Sequence, residues 1–357
     1  MRQSREFKDN NIIIVCEGTT TELNYLSDAC EFAKNRKILP YSNYKLLPII
    51  EEPIKKNGNR KDRKYLRFLM GNKDKNQYYS KIDTEANYSI YKSQPTRYLR
   101  EAQLFIEEDG FLEGWAVYDK DKHTDHRGAK SLLESDTRLH VAFSSYSFEE
   151  WLLCHFECNL KQFSKSECHD KATCGIDRDN ESINCHGEVC IAGYLREKKY
   201  IPDYNKTQKK LFKTYTLDSS EKIKESVLIN AAWIRFMQRG KERFDCNPYT
   251  DIDFLLLKLL NDQRKFLWYN LSEEFQIDNN HIVCHVKEDL LVIENTGTQS
   301  ILLRKESIKC GTAHHQFEMI PEKNIIIYPK ENYSFKVDSI LQLRIDLNNH
   351  SIFFQLT

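Results

Sequence analysis

Acidic residues follow three apolar segments that are far apart in the chain. Glu17 follows IIIVC, Asp119 and Asp121 follow WAVY, and Glu149 comes shortly after HVAFSS. Carboxylates crowded at one place repel each other and resist ionisation, and a divalent cation relieves that repulsion. Hard oxygen ligands suit Mg²⁺ or Mn²⁺. Such a site can activate water and stabilise the departing oxygen of a phosphodiester.

The residues beside these acids favour phosphate chemistry. Asp119 and Asp121 are two apart, so in extended backbone both point to the same side. Gly18 allows a tight turn and a close approach of phosphate to the backbone. Thr19 and Glu22 have the spacing of a capping box. The predicted helix would offer its free N–H groups to an anion.

Two adjacent glutamates in SFEEW can be given different roles. Ser147 and Glu150 have capping-box spacing, which predicts a structural role for Glu150. Glu149 remains as the site candidate, expected to hold a second metal ion or to orient water. Taken singly, Glu-Gly and Asp-x-Asp are common in turns without any function. In combination they are stronger evidence for a site, because each follows a separate predicted strand.

The elements that must position these residues alternate between strand and helix. This alternation predicts an α/β domain over residues 1–275 with a mostly parallel sheet flanked by helices, in which ligands bind beyond the carboxyl ends of the strands. The apolar segment DIDFLLLKLLNDQRKFLWYNL (251–271) predicts one long helix. From residue 279 to 357, short β-branched and aromatic runs separated by turn residues predict a small all-β sandwich or barrel for recognition or assembly.

The predicted α/β domain carries two inserts. The first, at about 50–94, contains a run with nine Lys or Arg against two Asp. Lys and Arg can bind phosphates while interleaved aromatic residues stack on bases, although a solvated surface loop is the alternative. The candidate nucleic-acid contacts are Lys55, Lys56, Arg60, Lys61, Arg63, Lys64 and Arg67.

The second insert, at about 157–200, is rich in Cys and His. Its cysteines form two spaced pairs that could hold a structural Zn²⁺ ion, with plain thiols as the alternative. The candidate ligands are Cys168, Cys174, Cys185 and Cys190. Eleven cysteines in the whole chain are better explained as thiols or metal ligands than as disulfides if the protein is cytoplasmic.

Composition narrows the function classes. Lys and Arg total 53, as do Asp and Glu, so the net charge is zero and gives no evidence for a polyanionic partner. No apolar run approaches the roughly 18 residues of a membrane span, and the first residues lack a signal-peptide core, so we expect a cytoplasmic protein without membrane contact. The absence of GxxxxGK[ST] argues against ATP hydrolysis by a P-loop.

The ordered segments IVCEGTTTELNYL, WAVYDKD, SFEEWLLCHF, YNK and NPYTDIDFLLLKLL resemble the RloB family over about residues 10–265. These are TOPRIM-like proteins of bacterial anti-phage and abortive-infection loci. The resemblance implies a TOPRIM-like (Rossmannoid) sheet in which Glu17, Asp119 and Asp121 bind Mg²⁺. It places Glu149 in the family's FE-x-W motif and Lys206 in its Tyr-x-Lys element. It also implies nucleic acid as substrate and an SMC-like ATPase as a partner of some relatives.

The sequence therefore predicts a Mg²⁺- or Mn²⁺-dependent nuclease acting on RNA, including tRNA, or on DNA. Glu17, Asp119, Asp121, Glu149 and Lys206 would carry the catalysis. A non-catalytic regulator that binds a nucleotide or a partner is the main alternative, and primase-like nucleotidyl transfer is a third. The C-terminal β region could contact an ATPase, a phage component or a second copy of the chain.

Overall fold

The computed structural model describes residues 11–18, 20–38, 43–47, 94–120, 126–167, 187–270, 273–277, 280–287, 290–304, 308–311, 317–319, 324–336, 342–347 and 349–355. The chain divides into two compact units. The first contains Met1–Val227 and Gly240–Asp262, and the second contains Leu228–Arg239 and Gln263–Thr357.

Strands and helices alternate in the first unit. In chain order they are β1 (Asn11–Cys16), α1 (Thr21–Asn35), β2 (Asn43–Leu47), α2 (Gln94–Asp109), β3 (Glu113–Asp119), α3 (Arg127–Ser135), β4 (Leu139–Ser145), α4 (Glu149–Leu153), α5 (Ile191–Glu197), a π-helical turn (Phe212–Thr216), α6 (Glu225–Met237), a 3₁₀ turn (Arg243–Asp245), β5 (Tyr249–Thr250) and α7 (Ile252–Leu259). From Leu228 onward, α6 belongs to the second unit.

The central sheet of this unit is mostly parallel. Its strand order is β2-β1-β3-β4-β5, and only β5 runs antiparallel to its neighbour. The residues of β1 from Ile12 to Cys16 are fully buried, which is why the strand is a continuous apolar run rather than an alternating one. The predicted α/β class with a mostly parallel sheet flanked by helices is confirmed.

Helix α2 packs closely on β3. Ile13, Val15, Leu99, Ala102 and Ala116 belong to one buried cluster between helix and sheet. The contact depends on a glycine, because a Cβ at Gly114 would lie 3.0 Å from the Cβ of Ala102. Helix α2 therefore covers the face of the sheet that β1 and β3 form, and the two strands pair in parallel from Ile12 with Glu113 to Cys16 with Val117.

The second unit is built mainly from antiparallel strands. They are β6 (Lys265–Tyr269), β7 (Glu274–Ile277), β8 (Asn280–Lys287), β9 (Leu290–Asn295), β10 (Ile301–Leu303), β11 (Ile308–Gly311), β12 (Phe317–Met319), β13 (Ile325–Ile327), β14 (Asn332–Lys336), β15 (Gln342–Leu347) and β16 (His350–Gln355). They form the sheets β12-β11-β15-β16-β6, β14-β9-β8-β7 and β10-β13. One buried aliphatic and aromatic core includes Ile282, Leu291, Ile352 and Phe354.

The prediction of one long helix over 251–271 is wrong. Helix α7 ends at Leu259, and the same apolar segment continues as strand β6, which pairs in parallel with the C-terminal strand β16. Phe266 and Trp268 are buried and alternate with more exposed residues, as a strand requires. The domain boundary expected near 275–279 stays a prediction, and β6 lies in the second compact unit.

No helix in the described part of the chain is both long enough and apolar enough to cross a membrane.

Candidate functional site

Strand register brings Glu17 and Asp119 together. Cys16 pairs with Val117, and the backbone N–H of Glu17 donates to the Val117 carbonyl at 2.8 Å. The backbone N–H of Asp119 then donates to Oε2 of Glu17 at 3.1 Å. The two acids therefore meet at the carboxyl edge of adjacent parallel strands.

The carboxylate of Asp119 lies among other acids. Burial and the negative charges of Glu22, Glu149 and Glu17 raise its pKa well above the ordinary range, and a hydrogen bond from the backbone N–H of Phe148 opposes the rise. Acids that follow β1 and lie on α1 and α4 thus surround the half-buried carboxyl group at the end of β3. Such crowding favours a bound proton or cation.

Glu22 is a member of this group that sequence analysis assigned to capping. Helix α1 begins at Thr21, its N-cap Thr20 makes no side-chain cap hydrogen bond, and Thr19 lies outside the described residues. Glu22 is only 7% exposed. Burial raises its pKa to about 7, with contributions from Glu149 and Glu17, against the effects of its own backbone N–H and of Lys206.

The space above Gly18 is filled by the Glu22 side chain. A Cβ on Gly18 would lie 2.1 Å from Oε2 of Glu22. In this conformation the glycine leaves room for a carboxylate of the same chain. Gly18 was predicted to let a phosphate approach the backbone. For that to happen, the Glu22 side chain would have to move out of this space.

Glu149 is held by hydroxyl groups. The Tyr204 hydroxyl donates to Oε1 at 2.6 Å, while Ser147 and Ser166 donate to Oε2 at 2.6 and 3.0 Å. The ammonium of Lys206 lies 3.8 Å from Oε1. Glu149 itself is almost fully buried.

The capping role predicted for Glu150 is wrong. Helix α4 begins at Glu149 with Phe148 as N-cap, and the Ser147 hydroxyl bonds to Glu149 rather than to the helix backbone. Neither carboxyl oxygen of Glu150 has a hydrogen-bond partner in the described structure. Burial, reinforced by Glu157, raises the pKa of Glu150 well above its ordinary range, which favours a neutral carboxylic acid.

Lys206 supplies positive charge to the acidic group. Burial alone would lower its pKa, but the carboxylates of Glu149, Asp119 and Glu22 raise it. The ammonium group is therefore kept charged. Its side chain remains 32% exposed, so it borders both the acidic group and solvent.

Other predicted site residues lie outside the described part of the chain. They are Asp121, the seven basic residues of the first insert (Lys55, Lys56, Arg60, Lys61, Arg63, Lys64 and Arg67), Cys168, Cys174 and Cys185. Cys190 is described: its sulfur accepts a hydrogen bond from the backbone N–H of Gly193 as the N-cap of α5. That contact gives Cys190 a structural role of its own.

The donor chemistry of the acidic group fits a hard divalent cation, because the carboxylates of Glu17, Glu22 and Glu149 gather around that of Asp119. Within the described ranges, however, no three His, Cys, Asp or Glu side chains are arranged as ligands of one metal ion. Two of the residues expected to bind it, Glu17 and Asp119, are adjacent through a backbone hydrogen bond. Asp121 follows directly after the described segment that ends at Lys120.

Sequence analysis did not assign four residues to this site: Glu22, Ser166, Tyr204, and Ser147 as a hydrogen-bond donor to Glu149. Tyr204 belongs to the YNK segment, two residues before Lys206. The sequence analysis used this segment to assign a role to Lys206 but assigned none to the tyrosine. Ser166 carries no local signal, since only folding brings it to Glu149.

The chain matches the model of the family described as RloB-like protein over residues 12–259, more than half of its length. The chain belongs to the RloB-like family. The matched segment of this RloB-like chain includes Glu17, Asp119, Glu149 and Lys206. No curated protein matches it.

Among solved structures, the crystal structure of the yjhA protein from Bacillus subtilis aligns with 25% of this chain and 99% of its own, at 11% identity and a TM-score of 0.19. A likeness at that score carries no argument about fold or function.

Proposed function

We propose that this RloB-like chain is a divalent-cation-dependent nuclease with a TOPRIM-like site that hydrolyses phosphodiester bonds of RNA, including tRNA, or of DNA. The supporting observation is the meeting of Glu17 and Asp119 at the carboxyl edge of β1 and β3, joined by a hydrogen bond. Ligands of open parallel sheets bind at this edge. The proposed role as an effector of defence against phage rests on the family.

Glu17, Asp119 and Asp121 would hold Mg²⁺ or Mn²⁺. When bound, such an ion activates water and stabilises charge on phosphate oxygens. The protein's own contribution is electrostatic. Glu22 and Asp119 favour a cation beside them. The charged Lys206 ammonium, whose side chain is 32% exposed, would stabilise negative charge developing on the phosphate.

Cleavage assays with a matched pair of variants test this proposal. Purified protein would be incubated with Mg²⁺ or Mn²⁺ and with tRNA, single-stranded RNA or plasmid. We expect Glu17→Ala to lower the rate about a hundredfold or more, as for loss of a group that acts in the transition state. Glu31→Ala, an exposed change on α1, serves as the control and should cleave like the wild type.

A non-catalytic regulator is the second candidate, and one observation favours it: the Glu22 carboxylate occupies the space beside Gly18 that a phosphate would have to enter. In that case wild type and Glu17→Ala would behave alike on every substrate, with or without an added ATPase partner. Incorporation of labelled nucleotides instead of cleavage would point to nucleotidyl transfer. The substrate set therefore separates the three functions.

A further inference from the structure

The Glu149 carboxylate has little room for another ligand. A carboxylate offers about four lone-pair positions. Three hydroxyl groups donate to Glu149, and Lys206 lies beside Oε1. With the residue only 1% exposed, a metal ion could bind there only by displacing one of these partners.

The hydroxyl protons are already assigned by the geometry. The Tyr204 hydroxyl donates its single proton to Glu149 at 2.6 Å, and Thr21 donates its own to the Lys206 carbonyl at 3.0 Å. The 3.5 Å contact between the two hydroxyl oxygens therefore has no proton left to fill it. Each hydroxyl is committed to holding one end of the Tyr204–Lys206 turn.

This turn is fixed from several sides. Arg196 donates to the Tyr204 carbonyl at 2.9 Å, and the backbone N–H of Lys210 donates to Asp28 of α1 at 2.9 Å. The Asn205 side chain accepts from both the backbone N–H and the hydroxyl of Thr207, the residue directly after the turn. Lys206 is thus placed by side-chain anchors in a segment that is neither helix nor strand.

We infer that Glu149 is a positioning residue and not a metal ligand. Together with Tyr204 it fixes the turn that places the Lys206 ammonium beside the acidic group. The inference rests on the proposed function for the role of Lys206. Cation binding is then left to Glu17 and Asp119. The hydrogen bond from Tyr204 to Glu149, called the clamp below, holds the turn in place.

Cation binding separates a ligand from a positioning residue. Mn²⁺ binding to purified protein would be measured by calorimetry. Glu149→Gln keeps the shape and one accepting oxygen, for Tyr204, while its N–H₂ group faces Ser147 and Ser166, whose hydroxyls can accept. Its Mn²⁺ affinity should therefore stay within about threefold of the wild type, whereas Glu17→Gln should lose about tenfold or more. An equal loss in Glu149→Gln and Glu17→Gln would overturn the inference.

Hydrogen exchange tests the clamp without any metal. In Tyr204→Phe, amides of residues 203–210 should exchange about tenfold faster, as expected when a hydrogen bond to a charged group is lost and the segment opens locally. Tyr200→Phe is the matched control, because its hydroxyl donates to Glu157 at 2.7 Å outside the site. Unchanged exchange in Tyr204→Phe, or equal acceleration in both variants, would contradict the clamp.

The two failures can be told apart. If wild-type protein binds no Mn²⁺, the cation site of the proposed function is wrong, and hydrogen exchange still decides whether Tyr204 and Glu149 hold the turn. If Mn²⁺ binds and Tyr204→Phe exchanges like the wild type, the function stands and the clamp is rejected. A double variant adds a kinetic check. Tyr204→Phe should lower the cleavage rate of the wild type but cause little further loss in a Lys206→Gln background, because Tyr204 acts through Lys206.

Discussion

Glu22 and Glu150 lie in the first turns of two helices, at positions where spacing alone predicts capping. In the structure both carboxyl groups are buried. The Glu22 carboxylate accepts from its own backbone N–H, whereas neither oxygen of Glu150 bonds to its helix. Capping-box spacing shows that a side chain can reach the helix start, but it does not show what else surrounds that side chain. Here Glu22 lies among Glu149, Lys206 and Glu17, and neither oxygen of Glu150 has a hydrogen-bond partner among the described residues.

Gly18→Ala should act through Glu22. The new Cβ would meet the Glu22 carboxylate at 2.1 Å, and we expect the free energy of unfolding to fall by about 1 kcal/mol as the side chain moves away. Urea unfolding of purified variants measures the change.

A double-mutant cycle provides the control for this prediction. In a Glu22→Ala background the same substitution should be neutral or stabilising by up to about 1 kcal/mol, because alanine restricts the unfolded chain. An equal cost in both backgrounds would show that backbone strain at Gly18, and not the Glu22 carboxylate, is responsible.

His155 ends a directed chain of hydrogen bonds. The indole N–H of Trp151 can only donate, and it donates to the Tyr25 hydroxyl at 2.7 Å. Tyr25 then bonds to Thr216, which lies 2.8 Å from Nε2 of His155, while Nδ1 lies 2.9 Å from the Trp151 carbonyl. The proton of a neutral imidazole therefore belongs on Nδ1, and Nε2 accepts.

This chain predicts sensitivity to acid. Burial, with Lys224, lowers the pKa of His155 to about 4, against the raising effect of the Trp151 and Leu152 carbonyls. In the unfolded chain His155 is protonated near pH 6.5, whereas in the folded chain it stays neutral until about pH 4. The free energy of unfolding therefore falls as the pH drops from 6.5 towards 4. His155→Asn should reduce the fall between pH 7 and pH 5 by about 1–2 kcal/mol, measured by urea unfolding. An unchanged fall would refute the assignment.

At the scale of elements, the sequence predicted strand ends better than helix ends. The apolar runs before Glu17 and Asp119 are buried strands that end where the acids begin. The segment 251–271 failed because its apolar density fits both a helix and a strand. The deciding residue is Asn261, which adopts a left-handed conformation with φ of 49° and ends the helical run before β6.

Substitution of Asn261 tests this helix stop. Asn and Gly tolerate the left-handed region, whereas alanine loses about 1 kcal/mol there. We therefore expect Asn261→Gly to keep or raise the thermal midpoint and Asn261→Ala to lower the free energy of unfolding by about 1 kcal/mol. If alanine is tolerated as well as glycine, another contact ends the helix.

At the scale of the whole molecule, the sequence predicted the change from α/β to β texture but not the path of the chain. Helix α6 reads as part of the first domain because it lies between its strands in sequence. Its residues from Leu228 onward nevertheless belong to the second unit, where Trp233 packs against Trp268 with ring centroids 4.6 Å apart. Local patterns carry no information on which distant segment will cover an apolar helix face.

This path predicts that a cut after Asp262 keeps every residue of the first unit but leaves α6 without its partners from the second unit. Such a chain keeps Trp233 but loses Trp268 and Glu273, which bonds Arg239 at 3.0 Å. We expect its thermal midpoint to fall by at least about 3 °C relative to the full chain. The same truncated chain carrying Trp233→Gln should aggregate less, because its exposed helix face is more polar, whereas in the full chain that substitution should destabilise. A truncated chain that matches the full chain in midpoint and gains nothing from Trp233→Gln would show that α6 does not depend on the C-terminal strands.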